Sequence, residues 1–242
     1  MLTRVTTQDL PAFRALLDDG PVGLRAAAAL DTYGPGDPAC AFYRAGAAGA
    51  LCVEGALALL CGVPDDVEEL EDFLALSGVK SFFSGQTMLE HWLPLPRLVL
   101  RRRGGARAPA PSAGPALSVG RAPDLWALCH SGLLPGEGDA LYRGLCRRVQ
   151  AGRGLAWTVR DGDEDVSAAA VTAMDGNAAY LAALATAPAH RGRGHGSALV
   201  RALCAELAPR DVYLVCEPAL RRFYEALGFA LVTPICEFVP PE

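Results

Sequence analysis

Lysine is almost missing from this chain: among its 22 lysine and arginine residues, Lys80 is the only lysine. A P-loop for nucleotide phosphates ends its GxxxxGK motif on a lysine, and no such glycine pattern leads to Lys80. The formal net charge of −5 at pH 7 leaves no overall positive field that would hold nucleic acid nonspecifically. We therefore exclude a P-loop site and expect no nucleic-acid partner.

Paired cysteines, zinc-ligand spacings and long apolar runs are also absent. None of the eight cysteines lies in a CxxC pair, and the four histidines lack zinc-ligand spacing with the cysteines. No uncharged stretch reaches the roughly 18 to 20 apolar residues that a membrane span needs, and the first six residues carry no apolar signal core. We expect reduced thiols, no metal, no membrane association and a cytoplasmic location.

A basic, glycine-rich loop spans residues 187–197, between an apolar run of strand length at 179–186 and a helix-like run. A strand that feeds such a turn into a helix directs several backbone N–H groups and the positive end of the helix dipole at one point, which favours an anion. Arg191, Arg193 and His195 add donors that can reach phosphate oxygens. The loop therefore predicts a phosphate site.

The spacing of the glycines identifies the kind of phosphate loop. The dinucleotide motif GxGxxG would need a third glycine where the chain has Ser197 or Leu199. The pattern RxxGxG, formed by Arg191, Gly194 and Gly196, resembles the acyl-CoA pyrophosphate loop of the GNAT acyltransferase superfamily. An ordinary glycine-rich connector would show the same short pattern by chance. The resemblance implies CoA contacts at Arg191, Gly192, Arg193, Gly194, His195, Gly196 and Ser197.

A second motif follows at the distance expected in that superfamily. After a strand-like run at 211–216, the chain reads FYEALGF from Phe223 to Phe229, which is similar to the FYxxxGF signature of the GNAT fold. The resemblance implies that Tyr224 is the general acid for the departing CoA thiolate. It also implies that CoA pairs with the strand edge at Leu184, Ala185 and Thr186. The alternative interpretation is that the two aromatic residues are core residues of a short helix.

The general base is the weakest part of the resemblance, because alanines stand on the strand where the superfamily often has a catalytic glutamate. Glu217, just after the 211–216 strand, is the first candidate, and His190 and Asp175 are further ones. Glu217 could equally be a carboxylate that only favours the helix dipole. Cys216 is a possible nucleophile, but the sequence places no histidine or aspartate beside it, so a buried thiol is the better interpretation.

The order of predicted elements agrees with the resemblance over residues 117–242. Helices at 124–130 and 138–151 precede three strands, the glycine-rich loop with its helix, a strand, a helix and a last strand at 229–239. This order predicts a mixed α/β sheet with helices on both faces. The turn at 175–177, Asp-Gly-Asn, favours a hairpin because all three residues tolerate positive φ. The three strands are predicted at 155–160, 166–174 and 178–186.

Residues 103–116, rich in glycine, proline and alanine without periodicity, predict a linker. It separates a smaller α+β domain, residues 1–102, from residues 117–242. The smaller domain loosely repeats the order of the second one, so it is either a degenerate GNAT-like half, as in tandem members of the superfamily, or an unrelated α+β domain. Its acidic run at 65–69 stands where phosphates would approach, so any CoA site belongs to the second domain. Its helices are predicted at 9–18, 23–32 and 65–76 and its strands at 41–44, 49–54, 56–62, 79–83 and 95–100.

The resemblance implies an acetyl-CoA-dependent N-acetyltransferase that passes an acyl group directly to a primary amine of a small molecule or peptide. A second hypothesis is a non-catalytic module that binds acyl-CoA as a sensor or assembly component. The intact loop and Tyr224 favour the enzyme, and the missing strand carboxylate favours the binding module. The sequence does not specify the acceptor, and a homodimer is one of the assemblies open to the chain.

Overall fold

The computed structural model describes residues 1–105 and 118–241, which divide into two compact units. The first unit comprises Met1–Val99 together with the C-terminal segment that begins at Thr233, and the second comprises Leu100–Val232. The sequence-based division kept residues 117–242 together, whereas the last strand is shared between the units. Residues 106–116 of the predicted linker lie outside the described residues.

The first unit is built largely as the sequence predicts. Its last two strands, β6 and β12, are each divided between the units. The helix predicted at 9–18 is shorter than expected, and the helix predicted at 23–32 begins earlier, because Pro21 suits the first position of a helix. The elements are β1 (Leu2–Arg4), a 3-10 turn (Thr7–Asp9), α1 (Leu10–Arg14), α2 (Pro21–Tyr33), β2 (Cys40–Ala45), β3 (Gly49–Glu54), β4 (Leu57–Gly62), α3 (Val67–Leu76), β5 (Ser81–Ser84) and β6 (Leu93–Arg102).

The sheet of the first unit begins as an antiparallel meander. Strands β1, β2, β3 and β4 pair in that order, and β5 pairs parallel to β4. On the other side of β5, residues Cys236–Phe238 of the last strand pair antiparallel with it. This pairing holds the end of the chain in the first unit. Helix α3 covers the sheet with fully buried Leu70 and Leu74, which pack with Leu60 and Phe82 of the strands.

A buried carboxylate joins α3 to the segment before β6. Glu71 on α3 is only 6% exposed, and its Oε2 lies 2.5 Å from His91 Nδ1, while the His91 backbone N–H donates to Oε1 at 3.1 Å. Burial raises the pKa of Glu71, but the hydrogen bonds from His91 and from the backbone of Glu90 outweigh it, so its pKa is lowered. The hydrogen bond to Glu71 raises the pKa of His91.

We expect His91→Ala to lower the thermal midpoint most between pH 4.5 and 6.5, the ordinary pKa values of the two groups. Because the pKa of His91 is raised in the folded protein, its contribution to the free energy of unfolding is complete below pH 6.5. That contribution is lost as the pH rises through the folded pKa. Because the pKa of Glu71 is lowered in the folded protein, its contribution to the free energy of unfolding is complete above pH 4.5. That contribution is lost as the pH falls through the folded pKa. Thermal denaturation across this range measures the difference. Glu71→Gln should show the same profile, and a pH-independent difference would contradict the interpretation.

The second unit contains the sheet and helices predicted from its sequence, preceded by one short strand, β7, that the sequence pattern does not reveal. The helix predicted after Pro218 is a 3-10 turn followed by a short helix. The elements are β7 (Ser118–Arg121), α4 (Leu125–His130), α5 (Gly138–Gln150), β8 (Leu155–Asp161), β9 (Glu164–Met174), β10 (Ala178–Thr186), a 3-10 turn (Pro188–His190), α6 (His195–Glu206), β11 (Asp211–Cys216), a 3-10 turn (Pro218–Leu220), α7 (Arg221–Glu225) and β12 (Ala230–Val239).

The sheet of this unit is mixed, as predicted. Strands β7, β8, β9 and β10 pair antiparallel in sequence order, and β11 pairs parallel to β10. Helices α4 and α5 cover the sheet through a core that includes Leu128, Leu145 and Ala170, with Ala183 of β10 packed against it. This core places α4 and α5 over the same face of the sheet as Ala183.

The hairpin between β9 and β10 forms where predicted, but by a different mechanism. No residue of the turn has positive φ. Instead, the carboxylate of Asp175 accepts the backbone N–H groups of Asn177 at 2.6 Å and Ala178 at 2.7 Å. This is an Asx turn, in which an aspartate side chain replaces a backbone acceptor. The carboxylate of Asp175 therefore has a structural role at the start of β10.

Candidate functional site

The glycine-rich loop leads directly from β10 into α6. Gly192 and Gly194 have φ of 75° and 85°, a left-handed conformation that glycine adopts without the steric cost of a Cβ. Gly194 is the N-cap of α6, and within the described residues this helix end has neither a side-chain cap nor an acidic residue in its first turn. The first N–H groups of α6 lack intrahelical acceptors, so this end of the helix is suited to an anion.

Gly196 is the point at which three predicted segments meet. A Cβ at this position would lie 3.5 Å from Thr186 Oγ1, 3.9 Å from Leu184 Cδ2 and 3.8 Å from Phe223 Cζ. The loop, the end of β10 and the FYxxxGF segment are therefore neighbours. The sequence predicts each of them separately, and the fold brings them together.

The basic side chains of the loop have different roles. Arg191 donates from Nε to the carbonyl of Thr186 at 3.1 Å, so it joins the loop to the end of β10, and Arg193 is exposed. His195 does not extend towards a phosphate as predicted, since its side chain is only 3% exposed. Its backbone N–H, at the first position of α6, remains suited to an anion.

His195 and His190 form a pair of rings beneath the loop. Their ring centroids are 5.9 Å apart, and His190 Nδ1 lies 4.0 Å from a carboxylate oxygen of Asp161. Both nitrogens of His195 are buried and have no hydrogen-bond partner among residues 1–105 and 118–241. His190, predicted as a candidate base, thus turns Nδ1 towards β8.

The edge of β10 is open beyond its first half. The parallel pairing with β11 joins Ala178–Leu181 to Asp211–Leu214 and goes no further within the described residues. Leu184, Ala185 and Thr186 lie past that point, where the two strands separate. This is the stretch of strand edge that the sequence resemblance assigns to CoA.

Irregular pairing with β9 lies where the pairing of β10 with β11 ends. Thr172 of β9 is skipped between the pairs Tyr180–Ala173 and Leu181–Val171, and Ala182 of β10 is skipped before the pair Ala183–Ala170. The two register shifts cancel, so the antiparallel pairing continues to Thr186, while the pairing with β11 ends at Leu181. Nothing in the alanine-rich sequence of β10 predicts this irregularity.

The backbone groups of the three residues at the open edge do not all point the same way. The N–H of Ala187 donates to Val166 on β9 at 2.9 Å, and the carbonyl of Ala185 accepts from Ser167 on β9 at 2.7 Å. Because successive residues of a strand face opposite sides, Leu184 and Thr186 direct their backbone groups away from β9. These two, rather than Ala185, have backbone groups aimed at the open edge.

Tyr224 lies in the short helix α7 and is only 7% exposed. Its ring contacts Phe223 and Phe229 edge to face, with centroid distances of 4.9 Å and 5.7 Å. Burial raises the pKa of Tyr224 to about 12, with smaller contributions from Cys216 and Tyr180. The hydroxyl therefore keeps its proton at every ordinary pH, as a general acid requires.

The candidate bases differ in position. Glu217 is exposed and follows Cys216 directly at the end of β11, and the electrostatic influence of Cys216 on Tyr224 shows that this strand end lies near the tyrosine. Asp175 belongs to the turn at the other end of β10, more than eight residues from Thr186, so we no longer consider it a base. Cys216 is buried.

Residues 152–231 match the family model of an acetyltransferase (GNAT) domain. The second unit contains a GNAT domain. The family predicted from the two motifs is thus confirmed, and the match includes both the loop and the FYxxxGF segment. No curated protein matches the chain in sequence.

Solved structures with a similar fold cover both units. A GCN5-related N-acetyltransferase-like protein from Streptococcus suis has a TM-score of 0.64 and 14% identity, over 97% of this chain and 99% of its own. A GNAT acetyltransferase from Colwellia psychrerythraea has a TM-score of 0.61 and 14% identity over 100% of both chains. A tandem GNAT protein from the clavulanic acid biosynthesis pathway has a TM-score of 0.61 and 15% identity, over 98% of this chain and 97% of its own. At these identities the likeness concerns the fold, and it extends over the first unit as well as the second.

The start of α3 in the first unit differs from the start of α6. Helix α3 is capped by the carboxylate of Asp66, which accepts the N–H of Glu69 at 2.9 Å. The carboxylate of Asp65 accepts the N–H of Ala47 at 3.2 Å and fills the space beside Gly46, where a Cβ would collide with it. The acidic run predicted to repel phosphates thus satisfies the helix end internally.

No helix in the described ranges is long and apolar enough to span a membrane. No group of three or more histidine, cysteine, aspartate or glutamate side chains in the same ranges is arranged to hold a metal ion.

Proposed function

We propose that the GNAT domain binds acetyl-CoA and transfers the acetyl group to a primary amine of a small molecule or peptide. The observation that carries this proposal is the meeting of the loop, the open edge of β10 and the FYxxxGF segment around Gly196. These segments supply an anion site, the backbone groups of Leu184 and Thr186 on the side away from β9, and a protonated tyrosine. Thioester aminolysis needs these three features.

Each chemical step has a group in the chain to support it. The first N–H groups of α6, with Arg193, hold the pyrophosphate of CoA, and the backbone groups of Leu184 and Thr186 hold the pantetheine arm and polarise the thioester carbonyl. The neutral amine attacks the carbonyl carbon, a C–N bond forms and the C–S bond breaks. Tyr224 donates its proton to the departing sulfur.

Glu217 is our candidate for the base that removes the proton lost by the amine. It is an exposed carboxylate at the end of β11, next in sequence to Cys216, which lies near Tyr224. A base at this strand end reaches the acceptor directly or through one water molecule. The alanines of β10 leave no carboxylate on the strand itself.

The proposal predicts that the purified chain releases CoA from acetyl-CoA only in the presence of an accepted amine. A panel of primary amines should include polyamines, amino sugars, amino acids and peptides with free amino termini. Because the chain has eight cysteine thiols of its own, CoA is best quantified by chromatography rather than with a thiol reagent. Tight binding of acetyl-CoA without turnover of any amine would favour the alternative function, an acyl-CoA sensor or assembly module.

A further inference from the structure

A buried serine on β9 contacts the end of the strand that forms the open edge. Ser167 has no exposed surface, and its hydroxyl lies 2.7 Å from the carbonyl oxygen of Ala185 and 2.9 Å from Thr186 Oγ1. The β9–β10 register places Ser167 directly opposite Thr186. No motif of the sequence singles out this serine, because it lies within an apolar strand.

The direction of these hydrogen bonds follows from the number of protons. A carbonyl oxygen can only accept, so Ser167 uses its single proton for the carbonyl of Ala185. The hydroxyl of Thr186 must then donate to Ser167. Thr186 Oγ1 is thereby left with lone pairs on the side of Gly196, whose Cβ position lies 3.5 Å away.

The same strand end has two further contacts, one to the loop and one to β9. The carbonyl of Thr186 accepts from Nε of Arg191 in the loop, and the N–H of Ala187 donates to Val166 on β9. The pairing with β11 ends at Leu181, so these contacts and those of Ser167 add to the antiparallel pairing with β9, which alone continues along Ala183–Thr186.

We propose that Ser167 is a positioning residue for acyl transfer, which sets the direction of the Leu184 and Thr186 backbone groups relative to the N-terminus of α6. This inference rests on the proposed function. The thioester and the pyrophosphate of one CoA molecule must be held at the same time, so the separation between the strand end and the helix end has to be constant. Ser167 acts on that separation through Ala185 and Thr186 and does not touch the substrate.

Ser167→Ala should lower kcat roughly 5- to 30-fold, because loss of one or two hydrogen bonds lets the thioester carbonyl move away from its donors. The Kd for CoA should change less than about threefold, because the pyrophosphate site is intact. Thr186→Val removes the hydroxyl that donates to Ser167 and should reproduce part of the loss. Steady-state kinetics and calorimetry measure the two quantities separately.

Ser84→Ala is the matched control. Ser84 is also buried, in the first unit, and its hydroxyl accepts two backbone N–H groups, those of Gln86 and Thr87. This variant should lose thermal stability as Ser167→Ala does, yet keep kcat. If Ser167→Ala keeps the wild-type kcat, or if Ser84→Ala loses kcat equally, the positioning role is overturned.

Amide hydrogen exchange over residues 183–187 separates this inference from the proposed function. Exchange should be faster in Ser167→Ala than in the wild type and unchanged in Ser84→Ala. If the wild-type chain turns over no amine, the proposed function fails, and exchange alone decides whether Ser167 holds the strand end. Unchanged exchange in Ser167→Ala would overturn the inference even if acetyl transfer is established.

Discussion

Replacing Tyr224 with phenylalanine should lower kcat on an accepted amine by about 10²- to 10⁴-fold, the usual contribution of general acid catalysis. We expect a value near the lower limit, since a thiolate is a tolerable leaving group without protonation. The ring contacts with Phe223 and Phe229 are kept by phenylalanine, so folding and the Kd for CoA should change little. Steady-state kinetics with calorimetry test both expectations.

The pH dependence gives a second test of the same residue. Because burial raises the pKa of Tyr224 to about 12, the hydroxyl stays protonated, and the wild type should lose no activity through this group below about pH 10. The ratio of wild-type to variant kcat should therefore be constant through the neutral and mildly alkaline range. Tyr213→Phe is the matched control: Tyr213 is also buried in the GNAT domain, its hydroxyl contacts Arg101, and its variant should remain active. Full activity of Tyr224→Phe would refute the assigned role.

Gly194→Val should weaken CoA binding by about 100-fold or more, which corresponds to about 2.7 kcal/mol. Gly194 has a φ of 85°, a conformation that costs residues with a Cβ roughly 1–2 kcal/mol and a β-branched residue more. Either the backbone relaxes and turns the first N–H groups of α6 away, or the isopropyl group stands in the open space beside the helix end. Each outcome blocks the approach of a pyrophosphate. Calorimetry with CoA measures the loss.

Gly152→Val is the control that introduces the same backbone strain outside the proposed CoA loop. Gly152 follows α5, has a φ of 68° and, like Gly194, has no described atom within 4 Å of its Cβ position. Its replacement should lower the thermal midpoint by a similar amount and leave CoA binding intact. If Gly194→Val and Gly152→Val bind CoA with equal affinity, the assignment of the pyrophosphate to this loop is wrong.

Local patterns in the sequence predict most of the elements of both units. Strand β11, Asp211–Cys216, is predicted without error because apolar residues fill it and Pro218 follows. Gly228, two residues after the C-cap of α7, has a φ of 87°, and the N–H of Phe229 donates to the carbonyl of Tyr224 at 3.1 Å, as expected of a glycine just after a helix. Strand β7 is not predicted, because a strand of four residues at an edge has too little apolar periodicity to be recognised.

The residues of the anion site are also predictable from the sequence. Positive φ at Gly192 and Gly194, the absence of acidic residues from the start of α6 and the acidic cap of α3 all depend on residues close together in the chain. Short-range steric and electrostatic effects determine such features. The sequence by itself therefore determined which helix end carries an acidic cap and which is left without one.

Only the tertiary structure decided how these parts work together. The irregular pairing around Leu181, the contacts of the Ser167 hydroxyl with Ala185 and Thr186, and the burial of His195 depend on pairing and packing between segments distant in the chain. An alanine-rich strand has no side-chain pattern that specifies where its pairing stops, and a serine within a buried strand looks like any small residue. The division of β12 between the two units also depends on pairing between distant segments, since its partner strand, β5, lies about 150 residues earlier in the chain.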